Sequence, residues 1–403
     1  MRKRKVIMLA PLAYPPSSAE GIVTLKLMIA LYRANWLVDV ITLQESGIHY
    51  AAHESFTPSQ VKDHIHFVKG ANPKTFLGMS RISGICWAVK ASLLAAKLQA
   101  SVKYDAILTR TMPQFGHLPG IFLSLCKPTP WIASWSDPMP AQKAPHPYGG
   151  GPDAPTPRIT SLFCRCATKR AGLHVFPSNQ LRDYMAAYLP GLRGKSQIIP
   201  HVALAGITPN MLPDPNRFTL CHAGSLEKKD VFPFLTGVQR FLKMIPFART
   251  QLRLRFVGHS GAELLKAIET VGLESITDVR GVCSYQETLG LLAGSDIGLL
   301  IEARMKNGIF LPSKAIDILQ SGRPILSLSP KIGTMATLIG SLGGGIVASN
   351  EDPEEIAVAL KPLYTAWSAG CLAEAYSINR FLEHCSEKRV EVLYDSIVGS
   401  LCE

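Results

Sequence analysis

Residues 296–328 read DIGLLIEARMKNGIFLPSKAIDILQSGRPILSL. Two apolar runs, 296–301 and 324–328, flank an amphipathic helical stretch at 313–321 that Gly322-Arg323-Pro324 stops. No hairpin signal joins the runs. Strands linked through a helix pair in parallel, so this stretch predicts one crossover unit of a parallel sheet.

Outward from this unit the same alternation continues. In the C-terminal half, further strand candidates lie at 218–223, 252–257 and 345–348, with helical stretches at 232–244, 261–270 and 285–293. In the N-terminal half, strand candidates lie at 6–12, 37–43, 106–109, 131–134, 175–177 and 197–200. The segment 22–34 has helical periodicity, with Val23, Leu27, Ala30 and Leu31 on one face. The chain is therefore expected to be α/β, with two doubly wound parallel-sheet domains at 1–199 and 200–375. A helical segment, 376–403, is expected to pack back toward the first domain. In open parallel sheets ligands bind outside the carboxyl ends of the strands. Two such domains facing across a cleft suit a transfer reaction between two substrates.

Composition narrows the classes. The 403 residues are 47% hydrophobic and 18% charged, which excludes a disordered chain. No apolar run reaches the roughly 18–20 residues of a membrane helix. The start, Met1-Arg2-Lys3-Arg4-Lys5 before an apolar run, imitates a signal peptide. However, Pro11, Pro15 and Pro16 interrupt it and no small-residue cleavage site follows, so it reads as a first buried strand of a cytoplasmic protein. The nine cysteines are scattered, without zinc spacing, and read as reduced thiols. Residues 1–199 carry 23 Lys and Arg against 9 Asp and Glu, net +14, while residues 200–403 carry 19 against 21, net −2. This excess favours an anionic partner for the first half. From 64 to 103 there are six cations (Lys69, Lys74, Arg81, Lys90, Lys97, Lys103), no acid, and interleaved Phe76, Leu77, Met79, Ile82, Ile85 and Trp87. That pattern is expected to lie on an anionic membrane surface. No nucleic-acid motif accompanies the charge, so no nucleic-acid partner is expected.

A succession of short motifs resembles the GT-B glycosyltransferases, in particular the retaining group with an E-x7-E motif (the family 4-like, group 1 enzymes). In the first half the likeness runs through Leu9-Ala10-Pro11 and the loop ending Glu20-Gly21, then Pro113-Gln114-Phe115-Gly116-His117, Trp135-Ser136-Asp137-Pro138 and Val175-Phe176-Pro177-Ser178. In the second half it runs through His222-Ala223-Gly224-Ser225-Leu226-Glu227-Lys228-Lys229, Phe256-Val257-Gly258, Val279-Arg280-Gly281 and, most fully, Asn307 to Pro324. The resemblance implies two Rossmann-like domains and transfer of a sugar from a nucleoside diphosphate sugar to an acceptor hydroxyl, with retention. The implied setting is bacterial cell-surface polysaccharide or glycolipid assembly, with a lipid-linked or oligosaccharide acceptor and an enzyme peripheral on the inner face of the membrane.

The resemblance also assigns residues. It places Gly21 against the donor, His117 near the reacting centre, and Asp137 on the acceptor side, positioning or deprotonating the hydroxyl. Gly224 and Lys229, with Lys228 as the alternate, belong to the diphosphate. Val282 and Cys283 neighbour the base. Backbone groups of Leu311, Pro312 and Ser313 face the diphosphate, Lys314 neutralises the leaving group, and Asp317, in a first helical turn, binds the ribose. Two departures stand out. Ile309 occupies the place of the first motif glutamate, and Asp317 replaces the second, so Glu302, Arg304, Lys306 or Asn307 are candidates for the sugar. With two lysines supplying positive charge, neither a metal nor another cofactor is expected. Rival readings are a catalytically inert relative or binding module and a sugar-nucleotide epimerase.

Overall fold

The computed structural model describes residues 3–16, 18–43, 56–68, 81–111, 115–126, 129–259 and 261–402, with side chains from 84 onward in the helix Arg81–Ser101. The chain divides into two compact units, Met1–Leu204 with Ser386–Glu403, and Ala205–Cys385. The division after Leu204 replaces the expected one after residue 199. The C-terminal segment does not travel as one piece. Helix Asn379–His384 stays with the second unit, burying Phe381, whereas helix Glu387–Cys402 belongs to the first. There Asp395 accepts from Arg4 at 2.6 Å and Glu387 from Arg33 at 3.0 Å.

The first unit holds seven strands: β1 Lys5–Leu9, β2 Leu37–Leu43, β3 Ile65–Val68, β4 Ala106–Arg110, β5 Trp131–Ser134, β6 Leu173–Phe176 and β7 Ser196–Ile198. Their order is β3-β2-β1-β4-β5-β6-β7, and every pairing is parallel. The second unit holds β8 Phe218–Ala223, β9 Leu252–Val257, β10 Thr277–Arg280, β11 Ile297–Ile301, β12 Ile325–Leu328 and β13 Gly345–Ala348. Their order is β10-β9-β8-β11-β12-β13, again all parallel. In each sheet the winding reverses beside the first strand, between β1 and β4 and between β8 and β11. These are the points at which such sheets bind ligands.

Local signals set the element ends. Ser18 caps helix Ala19–Arg33 by accepting from Gly21 N–H at 3.1 Å, and Ser178 caps helix Asn179–Ala186 by accepting from Leu181 N–H at 3.2 Å. Ser284 and Glu287 form a reciprocal capping box at the start of helix Tyr285–Ala293. The second core is built on Phe218, Phe234, Phe241 and Phe256, all fully buried. One close approach matters for the site. A Cβ on Gly298, the second residue of β11, would meet Ile318 Cγ2 at 2.2 Å. With no side chain there, helix Ser313–Gln320 lies directly on the sheet, which fixes the height of Lys314 and Asp317 above the strand ends. Among the described residues no helix is long and apolar enough to cross a membrane.

Candidate functional site

In the second unit, β8 ends at Ala223 and the chain turns at Gly224, whose φ is +104°. A Cβ here would lie 2.5 Å from both Cε and Nζ of Lys314. Only glycine permits both this backbone conformation and that contact. Lys314, in the first turn of helix Ser313–Gln320, donates to the Ser225 carbonyl at 3.3 Å, and Lys229 donates to the same oxygen at 2.9 Å. Two ammonium groups thus converge on one acceptor. Burial pushes Lys314 well below the ordinary lysine value, and the charge of Lys229 pushes it further, with Asp317 acting the other way. Burial lowers Lys229 as well, opposed by Lys314 and by the charge of Glu302. Beneath them His222 is buried. Its Nδ1–H donates to the Leu299 carbonyl at 3.0 Å, and burial together with both lysines holds the ring neutral. Lys228 is exposed at φ +61°, outside this convergence.

Asp317 is the fifth residue of helix Ser313–Gln320, so it projects from the second turn and not the first. Tyr285 Oη donates to its Oδ1 at 2.6 Å, and the Tyr285 hydroxyl is held well above its ordinary value by burial and by that carboxylate. Tyr285 opens the helix that follows the loop carrying Val282 and Cys283. Val282 is 64% exposed, and Cys283 Sγ reaches the Gly281 carbonyl at 3.6 Å. The Tyr285–Asp317 bond, at the end of this loop, ties it to the helix that carries Asp317. Leu311 is buried, while Pro312 and Ser313 are half-buried at the start of that helix. Pro312 has no N–H, so of the expected backbone donors only Leu311 and Ser313 qualify. Ile309 is 4% exposed and puts no polar group at the first motif position. Arg304 is engaged in an ion pair with Asp230.

The first unit presents a second cluster at its own reversal point. Arg110, at the end of β4, donates through Nε to Glu20 Oε1 at 2.7 Å and through its other nitrogens to Ser136 Oγ at 3.0 Å and Ser134 Oγ at 3.5 Å. Asp137 is half-buried beside them. Burial and then the Glu20 charge raise it to about 7, with Arg110 opposing. Tyr394, from helix Glu387–Cys402, lines the same hollow, raised by burial to about 12. Gly21 sits in the first turn of helix Ala19–Arg33, hard against the Leu12 carbonyl. His117 does not face this hollow. It is 1% exposed, its Nδ1 lies 2.6 Å from Thr109 Oγ1, and its ring meets Trp135 edge-on at 4.2 Å. Burial holds it neutral, well below the ordinary histidine value. Contact with a ligand would need these aromatic neighbours to move.

No family model matches this sequence, and no curated protein sequence matches it. Solved structures do. Sucrose-phosphate synthase from Thermosynechococcus elongatus is 13% identical over 99% of both chains, with a TM-score of 0.68. HepE of Anabaena, in complex with UDP and glucose, is 14% identical over 99% of this chain and 100% of its own, with a TM-score of 0.65. A UDP-N-acetylglucosamine 2-epimerase is 12% identical over 98% and 97%, with a TM-score of 0.59.

The fold is GT-B.

Within this GT-B chain, the residues expected from sequence fall into groups. Gly224, Lys229, Lys314 and Ser313 come together at the β8–β11 reversal. Asp317 joins the Val282–Cys283 loop through Tyr285. Lys228 and His117 stand apart from these groups. Sequence reading missed Tyr285, His222, Arg110 and Tyr394. Tyr285 lies 32 positions from Asp317 and Arg110 lies 90 from Glu20, so only the folded GT-B topology pairs them.

Proposed function

We propose that the chain is a glycosyltransferase whose second unit binds a nucleoside diphosphate sugar and whose first unit receives the acceptor hydroxyl. The observation that carries this reading is the pair of ammonium groups, Lys229 and Lys314, converging on the Ser225 carbonyl at the reversal point of a parallel sheet. Like charges held this close gain most from a ligand with two or more negative charges, and the adjacent helix start favours the same ligand. A diphosphate meets both conditions. As the bond from the sugar carbon to the phosphate oxygen breaks, charge gathers on the diphosphate, where the two lysines stabilise it. The new bond forms from the acceptor oxygen, whose proton passes to a base. Asp137 is the first-unit group suited to take or position that proton. The sequence resemblance assigns Asp317 to the ribose and Val282–Cys283 to the base. Retention rests on the sequence resemblance and is read from the anomeric configuration of the product.

UDP is the first nucleotide to try, because HepE holds it. Thermal shift against UDP, GDP, ADP, CMP and dTDP and their sugar conjugates tests the reading. A ligand at 100 times its Kd raises stability by about 2.7 kcal/mol. No shift with any member, for a folded sample, refutes it. Because an epimerase shares this fold, the sugar nucleotide should also be incubated without acceptor. Epimerised donor would favour that second activity.

We propose further that the first unit works on an anionic lipid surface. Helices Arg81–Ser101, Leu118–Cys126 and Arg158–Arg170 pack side by side and contain no Asp or Glu. Ile85, Val89 and Leu93 form an exposed stripe on the first, joined by exposed Leu125, Ile159 and Leu162 on the others. Lys90, Lys97, Arg158 and Arg165 are exposed on the same helices. Trp87, expected on this face, is instead fully buried. Lys69, Lys74, Phe76, Leu77 and Met79, and the side chains of Arg81 and Ile82, lie outside the described residues. Flotation with phosphatidylglycerol vesicles should show salt-sensitive binding that V89E/L93E abolishes. Equal flotation with neutral vesicles, or none at low salt, refutes the surface.

A further inference from the structure

Glu302 directly follows β11, at the point where the second sheet reverses. Its backbone is fixed on both sides. The Glu302 N–H donates to the Leu328 carbonyl at 2.9 Å, and its carbonyl accepts from Asn350 Nδ2 at 3.0 Å. The direction of the side chain is thereby set by the strand end and by Asn350 from beyond β13.

The residue is 6% exposed. Among the described residues nothing hydrogen-bonds its carboxyl group and no cation closes an ion pair with it. Lys229 is the charge that acts on it. On another side lies the backbone of Gly308, where a Cβ would come to 3.7 Å from Oε2. Burial raises the carboxyl to about 8. Near neutral pH it is therefore mainly the acid, with no protein partner among the described residues for its O–H or its carbonyl oxygen. Buried polar groups are nearly always hydrogen-bonded, and exceptions call for an explanation. The carboxyl oxygens keep some solvent contact, so water or a ligand can reach them, but the protein itself supplies no explanation for the placement.

The lysine pair gives one. If Lys229 and Lys314 hold the diphosphate, on which this inference rests, the sugar is joined directly to the phosphate beside Lys229. We infer that Glu302 binds hydroxyl groups of the transferred sugar, taking the place in recognition that Ile309 leaves empty. A carboxylic acid can donate to one hydroxyl and accept from a neighbouring one, so a vicinal pair on a hexose completes both of its unused valences. The charge of Lys229 then serves the phosphate and not the carboxyl. Selection among sugar nucleotides falls to this contact, since a site built to hydrogen-bond a hydroxyl discriminates against a sugar that lacks it.

The experiment separates sugar from phosphate. Wild-type protein is titrated calorimetrically with UDP, GDP, ADP and dTDP and with their glucose, mannose and N-acetylglucosamine conjugates. The tightest conjugate and its parent diphosphate are then titrated into E302L and E302Q. E302L is expected to bind the diphosphate as wild type does and to bind the conjugate at least about tenfold more weakly, the size of one good hydrogen-bonding contact. E302Q, which keeps a donor and an acceptor, should recover part of that loss. Unliganded E302L should melt no lower than wild type, because it replaces an unpartnered buried acid. Equal weakening of diphosphate and conjugate would overturn the inference in favour of a phosphate contact. Unchanged conjugate binding in E302L would overturn it outright, as would a lowered melting temperature with binding intact. If the wild type binds none of the diphosphates, the lysine site itself fails, and the inference falls with it for that separate reason.

Discussion

Replacing Lys314 with Met should move stability and ligand binding in opposite directions. In the unliganded protein its ammonium and that of Lys229 donate to one carbonyl, at 3.3 and 2.9 Å. K314M keeps the aliphatic packing against Gly224 and removes the repulsion, so the variant should melt at or above the wild-type temperature near pH 7. The sign follows from linkage. The folded-state pKa of Lys314 lies well below its ordinary 10.5. Between those two values the unfolded chain binds more protons, so wild-type stability rises with pH across that window. K314M should lack this rise. Binding behaves otherwise. Two unit charges ~4 Å apart attract by about 4 kcal/mol at an effective dielectric of about 20. Lys314 is partly exposed, so solvent reduces that figure. Charge-assisted hydrogen bonds are worth about 1.5–3 kcal/mol net. A loss of about 2 kcal/mol corresponds to about 30-fold in the Kd of a nucleoside diphosphate. Isothermal titration in two buffers of different ionisation enthalpy adds a second readout, since a diphosphate should raise the Lys314 pKa, so that binding takes up protons at pH values above the folded-state pKa. A K314M protein that binds the diphosphate with wild-type affinity, or that melts well below wild type, would refute the lysine-pair argument.

The remaining predictions address other groups. Asp137, raised to about 7, should give a transfer rate that climbs as pH rises through about 7. D137N should flatten that limb, and an unchanged pH profile would remove Asp137 from the reaction. The same raised value means the folded state binds more protons than the unfolded chain between the ordinary 3.8 and about 7. Wild-type stability should therefore fall with rising pH across that range, and D137N should melt above wild type at pH 8. Tyr285→Phe removes the donor to Asp317 and should cost about 1.5–3 kcal/mol of stability by denaturant titration, with weaker nucleotide binding. A smaller stability loss with unchanged binding would show that the tyrosine does not orient the carboxylate.

Sequence alone determined the fold class, because the information it needs is local, although β3 and β10 had no candidate among the apolar runs. Apolar runs separated by helical stretches without hairpin signals force parallel crossovers, and each strand candidate of the second half, from 218–223 to 345–348, becomes a strand within one residue of its expected ends. The cationic turn at Gly224–Lys229 and the helix carrying Lys314 and Asp317 were legible for the same reason, since each is a short stretch with its own cap, stop or glycine. Tertiary structure alone decided which of these residues meet. Lys229 and Lys314 are 85 positions apart in sequence, and the β8–β11 pairing sets both against Ser225. The Glu20–Arg110 pair arises from the neighbouring β1 and β4. Burial, too, was invisible beforehand. It turned His117 inward, hid Trp87 from the basic face, and left Glu302 as an acid without a partner. The physical reason is common to all three. Solvent access and electrostatic environment at a residue are set by the elements packed over it, and those come from distant parts of the chain.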